Sequence, residues 1–125
     1  MTNIYYTLQM KQLLVNRDYL LQFNHAVERV KRALSVKRPI VVFGPSMSGK
    51  THLYRNMYGD SEYHGILQHY VKIHGMSDIN QAHLCDKLFW IETSEQCDVD
   101  ELLTFGISFE LIDMKHTVTV VTKKA

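Results

Sequence analysis

The residues of this chain best suited to chemistry stand together in Gly44-Pro45-Ser46-Met47-Ser48-Gly49-Lys50-Thr51, which satisfies the spacing G-x-x-x-x-G-K-[ST] at every fixed position. The pattern predicts a cradle for phosphate groups. Glycines at 44 and 49 permit torsions and a close approach that a side chain would block. Loop N–H groups, those of Ser46 and Ser48 among them, can then converge on anionic oxygens, whereas Pro45 has no N–H to offer. Lys50 would place a mobile positive charge on the β and γ phosphates, and Thr51 can give its hydroxyl oxygen to magnesium. The ligand expected is a nucleoside triphosphate, ATP with Mg2+.

An acid is needed beside such a loop. Lys87-Leu88-Phe89-Trp90-Ile91-Glu92-Thr93 is an apolar run that closes on one. Read as a buried strand, it delivers the Glu92 carboxylate at its carboxyl end, where ligands bind in open α/β sheets. Glu92 is therefore the candidate magnesium-associated acid, and Lys50 and Glu92 are the candidate catalytic pair. The plainer alternative is an acid at a strand edge in water.

The loop works only if a buried strand feeds it and a helix leaves it. Pro39-Ile40-Val41-Val42-Phe43 is a continuous apolar run, as expected of a strand covered on both faces, with Pro39 at its start. Thr51 to Tyr58 lacks breakers, sets Leu53 and Met57 on one helical face, and meets Gly59 as a stop. Upstream, Leu20, Phe23, Val27, Val30 and Leu34 alternate at spacings of three and four from Asp18 onward, predicting a helix of about five turns. Its other faces carry Glu28, Arg29, Lys31 and Arg32. Such a stripe is expected to cover the domain's own sheet, the rival reading being a subunit contact with the basic face near nucleic acid. Residues 1–17 read as a short helix or an arm. Further on, residues 61–64 read as a connection, Gln68 to His74 as a second strand ending at Gly75, and Ser77 or Asp78 as the cap of a short helix running toward Asp86. Asp98 reads as the cap of a helix from Val99 to Phe105 that Gly106 ends. Ile107 to Ile112 and Thr117 to Thr122 read as a hairpin or two neighbouring strands, with Lys115 and His116 exposed near the turn. The fold expected is α/β, a mostly parallel central sheet with helices on both faces, an N-terminal helical segment over residues 1–38 and a nucleotide domain over 39–125.

Composition narrows the class. At 125 residues, with 46% hydrophobic and 22% charged side chains, the chain has the make-up of one ordinary globular domain. A formal net charge of +1 gives no global pull toward nucleic acid. Cys85 and Cys97 are too few for a disulfide framework, and no signal pattern or long apolar run appears, so an intracellular protein with no membrane partner is expected. His64, His69 and His74 recur every five residues, which points neighbours to different sides of a helix or strand and disfavours a zinc site.

The order of these parts resembles the superfamily 3 helicases of small DNA viruses, most closely the helicase region of parvovirus replication initiator proteins. The likeness runs over about residues 39–124. It rests on Gly44 to Thr51 as phosphate loop, Leu84 to Glu92 as acidic strand, Phe109 to His116 as lysine-bearing hairpin, and Thr117 to Thr122 as sensor strand. The resemblance implies a P-loop ATPase acting in the host nucleus as a homo-oligomeric ring, usually a hexamer, that moves along single-stranded DNA. Lys115 and His116 would then touch the DNA backbone, contacting phosphate without reading sequence. The departures also carry expectations. Thr93 stands where the family has a second acid that activates water, so hydrolysis should be slow unless Glu95 or another group substitutes. Lys123 and Lys124 stand where the sensor strand normally ends in asparagine. An arginine finger and a DNA-nicking domain have no counterpart, which suggests a fragment, a separate small product or a decayed copy. The rival functions are a nucleotide-holding regulatory module with little turnover and a small nucleotide kinase, the latter weakened because no arginine follows Arg55.

Overall fold

The computed structural model describes residues 13–15, 17–75, 88–117 and 120–122. Its centre is a parallel sheet of four strands in the order β3-β4-β2-β5. These are β2 (Ile40–Phe43), β3 (Val71–His74), β4 (Phe89–Thr93) and β5 (Glu110–Asp113). A parallel sheet must be covered on both faces, and the side chains of β2 alternate accordingly. Ile40 and Val42 join one apolar cluster with Trp90 and Ile112, while Val41 joins another with Phe89 and Ile91. Every residue of β4 is buried, Glu92 and Thr93 included.

Helices α1 (Arg17–Ser35), α2 (Lys50–Tyr58) and α3 (His64–Leu67) contribute to the first cluster through Val30, Leu34, Leu53, Met57 and Leu67. Helix α4 (Gln96–Thr104) covers the opposite face with Val99 and Leu102. The expected mixed α/β fold with a parallel sheet and flanking helices is what forms. Among the described residues no helix is long and apolar enough to cross a membrane.

Several local expectations are corrected. The buried face of α1 runs through Tyr19, Ala26, Val30, Ala33 and Leu34, whereas Leu20 is 49% exposed. Ala26 and Ala33, too small to register as a stripe, let the helix lie close to the sheet. Residues 64–67 are helical and the second strand begins only at Val71, because Tyr63, Leu67 and Tyr70 must reach the core before the chain can extend. Helix α4 starts at Gln96, two residues ahead of the expected cap. Asp98 lies in its first turn and accepts a hydrogen bond from Thr93 Oγ1 at 2.5 Å. Gly106, at φ 73°, ends α4 as expected.

The terminal hairpin does not form. Strand β5 pairs in parallel with β2, Ile40 opposite Glu110 and Phe43 opposite Asp113. Strand β6 (Val120–Thr122) pairs antiparallel with β1 (Leu13–Val15) in a separate two-stranded sheet. β5 carries apolar side chains to both faces, Ile112 to one cluster and Leu111 to the other, and only a covered sheet position satisfies both. Residues 13–15 are thus strand where a helix or arm was expected. The proposed helix from Ser77 or Asp78, the first residues of the acidic strand up to Lys87, most of the arm over 1–12, Val118 and Thr119 of the sensor strand, and Lys123 and Lys124 lie outside the described residues.

Candidate functional site

The loop from Phe43 to Lys50 leaves the carboxyl end of β2 and enters α2 directly. It is anchored on both sides. Gly44 N–H donates to Thr93 O at 3.1 Å, and Met114 N–H, just past β5, donates to Phe43 O at 2.7 Å. The Met114 backbone lies so close to Gly44 that a Cβ there would overlap its carbonyl oxygen and come within 2.7 Å of Ser48 Oγ. Gly49 takes φ 92° at the head of α2, and a Cβ on it would meet Tyr19 Oη of α1 at 2.5 Å. Gly44 is therefore required by contact with backbone and Gly49 by its left-handed torsion, as well as by pattern. Tyr19 shows that α1, read from the sequence as a segment ahead of the domain, braces the loop. Burial pushes the Tyr19 phenol above its ordinary pKa.

Within the loop, Ser46 is exposed, while Ser48 is fully buried and its hydroxyl has no protein partner. Ser48 N–H closes the loop on Pro45 O at 3.3 Å, and a buried orphan hydroxyl beside it is a polar group in want of a partner. Lys50 Nζ folds back over that loop, donating to Gly44 O at 2.6 Å and Pro45 O at 2.8 Å. Desolvation lowers the pKa of its ammonium from the ordinary lysine value, with the nearby Glu92 charge pulling the other way. These carbonyls hold the ammonium where phosphate oxygens would make stronger, charge-assisted partners.

Thr51 and Glu92 meet. Thr51 Oγ1 donates to Glu92 Oε1 at 3.0 Å across a separation of 41 residues. The other carboxylate oxygen, Oε2, accepts from Trp90 Nε1 at 3.2 Å. Two groups that the sequence reading passed over also converge on this acid: Lys72 Nζ lies 3.4 Å from Oε2 and His74 Nδ1 lies 3.7 Å from Oε1. Both come from β3, whose register sets Lys72 beside Trp90 and His74 beside Glu92. The alternation Lys72-Ile73-His74 was visible, but not the strand it would face. Among the described residues no cluster of three or more metal-ligating side chains of His, Cys, Asp or Glu occurs. A cation here would rest on one hydroxyl, one carboxylate and the ligand's own oxygens, the sparse protein ligation typical of magnesium.

No family model, curated protein or solved structure matches this chain. Thr93 Oγ1 donates to Asp98 and accepts from Glu95 N–H at 3.0 Å, so its hydroxyl is spent on the entry to α4. Lys115 and His116 are exposed, but not at a hairpin tip. They follow Met114 and line a groove of about 580 Å³ between α1 and the end of β5, together with His25, Arg29, Asp18 and Asp113. His116 is fastened there by its backbone: its N–H donates to Gln22 Oε1 at 2.8 Å, and Gln22 Nε2 donates to its carbonyl at 2.8 Å. The groove mixes both signs of charge, and no residue of the 44–51 loop lines it.

Proposed function

We propose that this chain is a P-loop domain that binds ATP with magnesium, of the type that drives superfamily 3 helicases, and that it holds nucleotide more readily than it hydrolyses it. The observation that carries the reading is the bond between Thr51 and the buried Glu92. A loop hydroxyl and a strand-end carboxylate from distant parts of the chain meet at the mouth of a glycine-bounded cradle, and that cradle contains an unpartnered buried hydroxyl.

On this reading the loop N–H groups receive the phosphates, and Lys50 exchanges the carbonyls of Gly44 and Pro45 for β and γ oxygens. Thr51 and Glu92 would hold the magnesium side, where the metal neutralises charge on the phosphates. Gly44 and Gly49 keep the backbone close enough for this contact. Slow hydrolysis follows from Thr93, whose proton is already given to Asp98 and which cannot accept a proton as a carboxylate does. DNA-driven movement lacks its expected hairpin, so Lys115 and His116 support at most a secondary contact with single-stranded DNA.

The test is ATP binding and turnover on one preparation, with and without magnesium and single-stranded DNA, beside Lys50→Ala. Binding that depends on Lys50, with turnover slow and indifferent to DNA, is the expected result. Turnover that rises with DNA and vanishes in Lys50→Ala would favour the motor instead. Loss of neither binding nor turnover in that variant would remove the site assignment.

A further inference from the structure

Glu92 is a buried acid with a lysine and a histidine side chain directed at its two oxygens. Its side chain is 2% exposed, and a carboxylate buried to that degree needs a countercharge. Lys72 provides it at 3.4 Å. The ammonium is itself held in place, lying 4.3 Å from the centroid of the Tyr54 ring on α2. Tyr54 in turn packs edge-on against Trp90 at 5.2 Å between ring centroids, and Trp90 donates to the same Glu92 oxygen that Lys72 approaches. The carboxylate is thereby divided. Oε2 faces Trp90 and Lys72, and Oε1 faces Thr51 and, at 3.7 Å, His74.

We propose that Lys72 is a built-in counter-ion for Glu92 which does part of the work of magnesium, so that nucleotide binding at this loop depends only weakly on the metal. The inference rests on the nucleotide-site reading above and deepens it by naming a positioning residue. A triphosphate entering without metal brings several negative charges toward Glu92. Where the carboxylate has no countercharge, that approach is strongly opposed and magnesium becomes obligatory. With Lys72 paired to Oε2, the acid presents little net charge, and Lys50 is left to meet the phosphates. The same pairing makes Glu92 a poorer magnesium ligand, because the metal shares the carboxylate with an ammonium already in place. Lys72 is 26% exposed, so solvent screens part of the effect, and the pair should shift the metal dependence by about one order of magnitude.

The experiment measures the dissociation constant of a fluorescent ATP analogue in EDTA and in magnesium, for the parent, Lys72→Met, Lys72→Arg and the double variant Lys72→Met with Glu92→Gln. The readout is the ratio of the two constants. The parent should bind in EDTA within about tenfold of its affinity in magnesium. Lys72→Met should raise the ratio about tenfold, by losing affinity in EDTA while keeping or gaining it in magnesium. Lys72→Arg should restore the parent ratio, and the double variant should bring it to the parent value or below, because neutralising Glu92 removes both the charge that needs Lys72 and a ligand for magnesium. A ratio unchanged by Lys72→Met, with binding intact, would overturn the counter-ion role and leave the nucleotide site standing. No binding by the parent in either buffer would overturn both.

Discussion

Gly44 and Gly65 are predicted to respond to the same substitution with opposite signs. At Gly44 the new methyl would overlap the Met114 carbonyl oxygen and lie 3.1 Å from the carbonyl carbon, backbone atoms that cannot rotate away. Met114 is fully buried and tied to Phe43 by a 2.7 Å hydrogen bond, so relieving the overlap means moving the exit of β5 by roughly an ångström. That movement sacrifices a hydrogen bond worth about 1 kcal/mol and overpacks the site at about 1–3 kcal/mol. Gly44→Ala should therefore lose about 2–4 kcal/mol and on the order of 10 °C in Tm. At Gly65, inside α3, a Cβ meets nothing within 4 Å, and Gly65→Ala should gain about 0.5–1 kcal/mol from the smaller entropy of its unfolded chain. Urea unfolding followed by fluorescence of the buried Trp90 measures both. Equal midpoints for Gly44→Ala and the parent would refute the packing of the loop against the chain after β5. A Gly65→Ala loss matching that of Gly44→Ala would refute the reasoning from local space altogether.

Three further outcomes follow from single groups. Burial pushes the Tyr70 phenol up to about 12, and its hydroxyl donates to Arg38 O at 2.6 Å. The folded state thus keeps a proton that the unfolded chain loses near pH 10. Stability should fall between pH 10 and 12 by up to about 2–3 kcal/mol in the parent and less in Tyr70→Phe, as alkaline urea titrations would show. For Lys50 the sign reverses: its pKa is lowered on folding, so its contribution to stability rises with pH toward the ordinary lysine value. The stability of the parent relative to Lys50→Met should climb between neutral pH and about 10.5, and a flat difference would contradict the desolvation of its ammonium. Asp98→Ala should cost about 1–2 kcal/mol by stranding the buried Thr93 hydroxyl, but much less in a Thr93→Val background. Strictly additive losses would show that the two groups are not coupled.

Much of the sheet was legible because parallel, doubly covered strands announce themselves as unbroken apolar runs. Pro39 to Phe43 and Leu88 to Ile91 are of this kind, and both form strands at the centre of the sheet. The same logic misfired at the end of the chain. Two β-rich runs close in sequence suggested a hairpin or two neighbouring strands, yet Leu111 and Ile112 supply opposite faces of the main sheet while Val120–Thr122 pair with Leu13–Val15. Alternation alone could not assign Val120 to Thr122 to the strand at Leu13–Val15, because that pairing is decided between the two ends of the chain. Helix α1 was recognised by its period: Val30 and Leu34 are fully buried and Phe23 and Val27 pack against the same cluster, while Leu20 is exposed and Ala26 and Ala33 complete the buried face without adding to the stripe's hydrophobicity.

The candidate site divides along the same line between what a local pattern can encode and what only the fold can assemble. Gly44, Gly49, Lys50 and Thr51 follow one another through a single turn, so their geometry is written in their spacing. Glu92 was reachable because a strand end in an α/β sheet is a place as well as a sequence position. Lys72 and His74 were not, because their significance comes from a register: β3 lies beside β4, setting His74 against Glu92 rather than against any neighbour in sequence. Nothing in Val71-Lys72-Ile73-His74 distinguishes an exposed edge strand with ordinary solvated charges from one that supplies a countercharge. The difference lies in the burial of Glu92, which turns a nearby lysine from a surface group into the countercharge of a buried acid. A pattern search therefore finds the loop and its acid, and leaves unseen the charge that, on the proposed reading, sets how much magnesium that acid requires.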